Sequence, residues 1–291
     1  MTDAMKDAAE RAAVLVEALP YIQRFRGAVV VVKYGGNAMV DPAIAHAIAE
    51  DVVLLRAVGL RPVVVHGGGP QISELMAKLG KEPEFRDGLR VTDAETVEIA
   101  RMVLVGKINR DIVAAINVHG PIAVGLSGED AGLILASASR PELGFVGEVA
   151  AVNPAILHRL LAAELIPVVS TIGSDSEGRP YNINADTVAG ALAESLQAEK
   201  VVFLTDVPGL LTDLDDPDSL VRQVTAGELQ VMLETGRLSG GMLPKAAAAL
   251  HAVQNGVGSA HLLDGRLGHV VLLELFSDAG IGTMITKVAA P

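Results

Sequence analysis

The chain has 291 residues, half of them hydrophobic, with no cysteine, no tryptophan and 23 Lys and Arg against 35 Asp and Glu, a formal net charge of −12. That composition excludes a disulfide framework, thiolate metal sites and a cysteine nucleophile, and it argues against disorder and against nonspecific nucleic-acid binding, which needs a basic footprint. Its Ala, Val and Leu fall in short runs, far from the roughly 18 apolar residues of a membrane-spanning helix, and the charged first 26 residues do not read as a signal peptide, so a soluble cytoplasmic α/β protein is expected.

Residues 3–26 read as an amphipathic helix, with Ala13, Val14, Leu15, Val16 and Leu19 among Lys6, Glu10, Arg11 and Glu17 and with Pro20 and a short segment, 21–25, at its end. Ahead of the first strand it is either a surface helix or an oligomerisation arm. From residue 28 the pattern changes. The β-branched run 28–32 ends at Lys33-Tyr34-Gly35-Gly36-Asn37, and a helix over 42–58 follows, stopped by Gly59. A second run, 62–65, ends at His66-Gly67-Gly68-Gly69-Pro70 before another helix; Pro70 is expected to delay that helix. Runs at 122–126, 167–170 and 201–204 predict further strands with helices between, and 270–273 a weaker one. Short apolar strands alternating with helices mean a mostly parallel sheet covered on both faces. Ligands on such sheets bind at the carboxyl ends of the strands, where both glycine clusters sit. The polar stretch 173–180 marks a boundary between a lobe over 27–180 and a lobe over 181–291.

Several loops bear groups suited to anions. Glycines let a backbone approach an anion closely, and helix N-termini offer free N–H groups. Lys33 adds a positive charge at one such loop; the alternative is a tight turn with a surface lysine. His66 reads as a packed histidine rather than a catalyst. Arg90 in a polar loop can clamp a carboxylate, while Thr92 with Glu95 reads as a capping box. Asp186 stands where an N-cap is common, after Asn182 and Asn184. Lys245, beside Gly240-Gly241, sits at a helix start that repels it unless an anion is shared there. Two lysines, an Asp and an Arg beside glycine loops make an inventory for phosphoryl transfer. No serine sits in a nucleophile elbow, and neither glycine loop is a P-loop or a clean dinucleotide fingerprint.

Taken in order, KYGGNAM (33–39), HGGGPQI (66–72), GLRVTD (88–93), GKIN (106–109), GLSGED (125–130), NINADTVA (182–189), TDVPGLL (205–211), GGMLPK (240–245) and HLLDGR (261–266) resemble the amino-acid kinase family. Within it they resemble the members that act on N-acetyl-L-glutamate. The resemblance implies a three-layer αβα sandwich around a mostly parallel open sheet. It implies ATP-dependent phosphorylation of the side-chain carboxylate of N-acetyl-L-glutamate in arginine biosynthesis, with the acceptor in the first lobe and ATP in the second. Carried over by motif, Lys33 and Lys245 stabilise the transferring phosphoryl group and Asp186 holds them. Gly68 and Gly69 offer N–H groups to the substrate, Gly35 and Gly36 to the phosphates. Arg90 and Asn182 hold the substrate's α-carboxylate. Asp206, Val207, Pro208, Gly209, Leu210 and Leu211, with Gly240, Gly241 and Met242, line the ATP site. Mg²⁺ is expected on phosphate oxygens rather than in a protein cage. Glu129 replaces a common Lys or Arg, with little consequence expected.

The extra N-terminal helix resembles the arm of arginine-inhibited hexameric members, which are trimers of dimers. By that likeness Tyr21, Lys200, His261, Glu274 and Gly280 form a site for the inhibitor L-arginine. Whether a signalling protein of the nitrogen-regulatory PII type docks, as on some relatives, stays open. No nucleic-acid or membrane partner is expected. The competing readings are a kinase of the same fold acting on glutamate, aspartate, carbamate or a nucleotide, a catalytically inactive regulatory module, and a nucleotide-binding oxidoreductase.

Overall fold

The structure is a computed structural model, and it describes residues 2–39, 41–86, 88–213, 216, 219–238, 240–277 and 280–288. The N-terminal arm is two helices rather than one, α1 (Asp3–Glu17) and α2 (Leu19–Phe25). Pro20 lies in the first turn of α2, where its fixed φ and missing N–H cost nothing. α1 leaves Val14, Leu15 and Val16 exposed, whereas α2 buries Phe25 in the core.

The chain continues through β1 (Val29–Tyr34), α3 (Pro42–Ala57), β2 (Arg61–His66) and α4 (Gly69–Lys78) to a hairpin of β3 (Phe85–Arg86) and β4 (Leu89–Arg90). Next come α5 (Ala94–Arg101), a π-helical stretch Met102–Ile108, α6 (Asn109–Asn117), β5 (Ala123–Ser127), β6 (Ile134–Ala138), β7 (Val146–Val152), α7 (Ala155–Ala162) and β8 (Ile166–Ser170). β9 (Ile172–Ser174) and β10 (Pro180–Ile183) pair antiparallel across the polar stretch 173–180. The last third holds α8 (Ala185–Ser195), β11 (Lys200–Thr205), β12 (Gln223–Thr225), α9 (Ala226–Glu234), α10 (Met242–Gln254), β13 (Ser259–Asp264), α11 (Val270–Leu275) and β14 (Thr283–Thr286).

Eight strands form one sheet in the order β12-β14-β13-β11-β1-β2-β8-β5, parallel throughout except for β13 against β14. β6, β7, β9 and β10 close into a second, small sheet. The β-branched run of β1 is buried on both sides, as a central parallel strand requires. Val31 packs with Val201 and Phe203 against Leu192 of α8 and Ala249 of α10, while Val30 and Val32 pack with Val202 against Val52 of α3 and Val271 of α11. The result is the expected three-layer αβα sandwich. Among the described residues, no helix is long and apolar enough to cross a membrane.

The run 270–273 is helical, not a strand. Val270, Val271 and Leu275 are its buried positions, a spacing that one helix face provides. Its start is pinned by Asp51 of α3, a fully buried carboxylate that accepts from His269 Nδ1 (2.7 Å) and from the Val271 N–H (3.3 Å). Burial pushes the Asp51 carboxyl up to about 6, although the His269 contact pulls the other way. A raised carboxyl holds its proton more tightly in the folded chain. Its contribution therefore favours folding at low pH and is lost as pH rises from about 4 to about 6. The stability of wild type relative to Asp51→Asn is expected to fall across that window, by up to about 3 kcal/mol, read from urea midpoints at pH 4, 5, 6 and 7. A constant difference between the two proteins across the window would contradict this.

Candidate active site

β1 ends at the centre of the sheet, with β2 on one side and β11 on the other, which is the switch point where open α/β sheets bind ligands. Lys33 stands there, almost fully buried, with its Nζ 3.0 Å from Oδ1 of Asp186 in the first turn of α8. The other oxygen, Oδ2, lies 3.2 Å from Nζ of Lys245 in the first turns of α10. Two ammonium groups thus share one carboxylate, which leaves a surplus positive charge where water is largely excluded. Asn184, rather than Asp186, caps α8, accepting from the N–H groups of Asp186 and Thr187. The cap leaves the Asp186 carboxylate to the lysines. Asp93 likewise replaces Thr92 as the cap of α5, accepting from the Thr96 N–H, while the Thr92 hydroxyl donates to the Arg90 carbonyl and Glu95 pairs with Lys81.

Two cavities open from Lys33. One, about 290 Å³, is lined by Gly68, Gly69, Arg90, Asn182 and Asp186. The other, about 310 Å³, is lined by Asp206, Val207, Gly209, Leu210, Leu211, Gly241, Met242 and Lys245. Lys33, Gly35 and Gly36 line both. Of the expected nucleotide set, Pro208 and Gly240 line neither; Arg237 and Leu238, which the sequence did not single out, line the second.

The floor of the first cavity is set by close packing. α4 begins at Gly69 directly, with Pro70 in its first turn, where no N–H is needed; Pro70 does not delay the helix. A Cβ at Gly68 would lie 2.8 Å from Cδ2 of Leu104 and would also strike Ile108, both in the π-helical stretch. A side chain at Gly68 would force the buried ends of Leu104 and Ile108 aside, whereas glycine lets that stretch press on the loop at the N-terminus of α4.

Arg90 is buried at the rim. Its Nη2 donates to the Gly69 carbonyl and to Ser73 Oγ, both at 2.8 Å, and its guanidinium lies 4.7 Å from the centre of the Phe85 ring. Burial lowers its pKa, yet a guanidinium stays charged. Among the described residues no carboxylate pairs with it, and the Asn182 side chain has no hydrogen-bond partner.

Asn109 of the GKIN motif has a role that its neighbours in sequence do not reveal. Its Nδ2 donates to the Val168 carbonyl at 2.8 Å and lies 3.2 Å from His66 Nε2, tying β8 to the end of β2. His66 donates from Nδ1 to the Gly67 carbonyl (3.0 Å), and burial pushes its pKa down to about 4. It is a neutral, packed residue at neutral pH, as its sequence context suggested. Glu129 pairs with Arg101 at 3.0 Å, away from both cavities.

The residues expected at an inhibitor site also come together. Lys200 Nζ lies 3.0 Å from His261 Nε2 and 5.1 Å from the centre of the Phe25 ring of α2. His261 Nδ1 is 2.8 Å from Glu274 Oε1, and the Ile281 N–H donates to Glu274 Oε2 at 3.1 Å. Burial lowers the pKa of both Lys200 and His261. Burial alone would raise that of Glu274, but the His261 and Ile281 hydrogen bonds and nearby positive charge outweigh it and lower it. Gly280, next to Ile281, accepts from Arg222, and Tyr21 packs on the same apolar cluster as Phe25.

Comparison with known proteins shows the family. The profile of the Amino acid kinase family matches residues 28–264. The chain is 54% identical over 292 residues to a protein named acetylglutamate kinase from Saccharopolyspora erythraea, covering 98% of this chain and 96% of that one. It is 55% identical to another of that name from Corynebacterium urealyticum, covering 96% and 93%. Among solved structures, N-acetylglutamate synthase from Neisseria gonorrhoeae superimposes with a TM-score of 0.82 at 29% identity when complexed with coenzyme A and N-acetyl-glutamate. With coenzyme A and L-arginine the values are 0.78 and 26%. Those matches cover 96% of this chain but only 64% and 66% of the synthase chain. The chain belongs to the amino acid kinase family. It is a phosphotransferase whose acceptor is a carboxyl group.

Gly68→Ala is expected to cost about 1–3 kcal/mol of stability through overpacking and to raise the KM of the acceptor while leaving that of the nucleotide in place. Thermal melts and steady-state kinetics check this; a raised nucleotide KM with an unchanged acceptor KM would contradict the cavity assignment.

Proposed function

We propose that the protein transfers the γ-phosphoryl group of ATP to the side-chain carboxylate of N-acetyl-L-glutamate, as a cytoplasmic step of arginine biosynthesis. The observation that carries this reading is the shared wall of the two cavities: Lys33, Gly35 and Gly36 line both, and the Lys33–Asp186–Lys245 group lies across their junction. An acceptor carboxylate is already ionised at pH 7, so the reaction needs no general base. Its difficulty is bringing two anions together. The surplus positive charge of the triad and the N–H groups of Gly35, Gly36, Gly68 and Gly69 relieve that repulsion as charge moves onto the transferring group.

Leu210, Leu211, Leu238 and Met242 give the second cavity apolar walls for the base, and Lys33 with Lys245 marks its phosphate end. Asp206 is the one carboxylate in its lining, and no cluster of three metal-ligating side chains exists among the described residues. That donor set fits Mg²⁺ carried mainly by phosphate oxygens, where it would neutralise part of the triphosphate charge. Arg90 and Asn182 fit the acceptor's α-carboxylate. The first lobe, 27–180, thus supplies most of the acceptor side and the second, 181–291, most of the nucleotide side.

ADP release over acetylglutamate, glutamate, aspartate and carbamate tests the acceptor, with acetylglutamate expected to be used best. Lys33→Ala and Lys245→Ala are each expected to lower turnover by about 10²-fold or more. Arg90→Lys, which keeps the charge but loses the planar fork, is expected to raise the KM of acetylglutamate and not that of ATP. Near-normal turnover in either lysine variant would overturn the mechanism.

We further infer inhibition by L-arginine in a hexamer built as a trimer of dimers. Supporting it are the buried Lys200–His261–Glu274 group beside α2, the exposed apolar side chains of α1, and the similarity to a synthase solved with L-arginine. Glu274 offers a carboxylate for a guanidinium and Lys200 an ammonium for an α-carboxylate. Glu274→Ala is expected to abolish arginine sensitivity, and removing residues 1–25 to give a dimer, both read by sizing and activity titration. A wild-type dimer indifferent to millimolar arginine would overturn this regulatory reading and leave the kinase reading intact.

A further inference from the structure

The nucleotide cavity contains a charged residue that phosphoryl transfer leaves unused. Arg237, in the turn after α9, lines it beside Leu238, the one exposed to solvent and the other buried in the wall. Although the chain is rich in acid, the Arg237 guanidinium has no hydrogen-bond or ion-pair partner among the described residues. The lining offers Leu204, Val207, Leu210, Leu211, Leu238 and Met242 as apolar walls and no aromatic ring. A purine entering this cavity meets aliphatic side chains and one flat, delocalised group that is cationic, the guanidinium of Arg237; the other planar group in the lining, the Asp206 carboxylate, is anionic and would not stack favourably on an aromatic face. Guanidinium planes stack on aromatic faces, and a compact ammonium cannot do so in the same way.

We propose that Arg237 lies flat on the base of the bound nucleotide and sets much of the protein's affinity for it. This rests on the second cavity being the ATP site. Its phosphate end is already supplied with positive charge by Lys33 and Lys245, so the added value of Arg237 is its plane rather than its charge. An arginine stacked at the mouth also closes the exposed side of the base without burying a charge, because its edge stays in water.

The test is direct binding of ATP and of adenosine to the purified full-length protein, by calorimetry without acceptor, together with the KM of acetylglutamate. Arg237→Ala is expected to weaken ATP and adenosine by the same factor, roughly fivefold or more, with the acetylglutamate KM held. Arg237→Lys is expected to lose as much as the alanine variant, and Arg237→Tyr to recover most of the affinity. Lysine binding ATP as well as arginine does, or a loss seen with ATP but not adenosine, would show a phosphate contact and overturn the stacking assignment. Wild-type affinity in Arg237→Ala would leave a solvated surface arginine only. A wild-type protein that binds no ATP would overturn the cavity assignment itself, and the proposal with it.

Discussion

One carboxylate divided between two lysines is the constraint on which the rest of the structure depends. Asp186, Lys33 and Lys245 come from α8, β1 and α10, and charges this buried are costly unless each has a partner. Keeping them together requires α8 and α10 to pack closely over the same face of the sheet. Gly190 makes this possible: a Cβ there would lie 3.2 Å from the Ala248 carbonyl oxygen. Leu192, Ala193, Ala249 and Val253 fill the same core as Val31 and Phe203. The hydrophobic layer therefore fixes the position of the charged group, and the Asn184 cap leaves its carboxylate to the lysines.

The same layer separates two clusters of polar groups along the strands. β11 begins at Lys200, in the buried Lys200–His261–Glu274 group, and ends at Thr205 in the lining of the second cavity. β13 runs parallel to it from Ser259 through His261 to Asp264. One end of these strands meets α2, through Phe25, and the other meets the second cavity, through Leu204 and Thr205. Asp51 ties α3 to the start of α11, whose other end carries Glu274. The arm and the far end of α11 thus meet the start of β11 and β13, while Lys33, at the end of β1, pairs with Asp186 beyond the opposite ends of the strands.

The inner strands were legible because strands buried on both faces are written as apolar, largely β-branched runs: 28–32, 62–65, 167–170 and 201–204 mark β1, β2, β8 and β11, while 122–126 marks the half-buried edge strand β5. The small sheet was not, because β9 and β10 are three and four residues long and take their partners from β6 and β7. The run at 270–273 was ambiguous by nature, since a short apolar run fits a buried helix as well as a strand; the Asp51 cap decides it, and Asp51 is over two hundred residues away. Lys33, Arg90, Asp186 and Lys245 were legible from motifs that unite residue type with glycine spacing. Asn109, Arg237 and Leu238 were not, because what singles them out is contact with groups that only the folded chain brings near, such as Val168 and the cavity wall.

The most direct test of the shared carboxylate compares two affinities in wild type and Asp186→Asn, after melting curves show that both are folded. One is the affinity for ADP alone. The other is the affinity for ADP with acetylglutamate and aluminium fluoride, whose planar complex mimics a phosphoryl group in flight. If Asp186 aligns the two lysines on the transferring group, the variant should lose about 10²-fold or more in the ternary complex and little for ADP alone. Equal losses in both, or no loss in the ternary complex, would contradict that role.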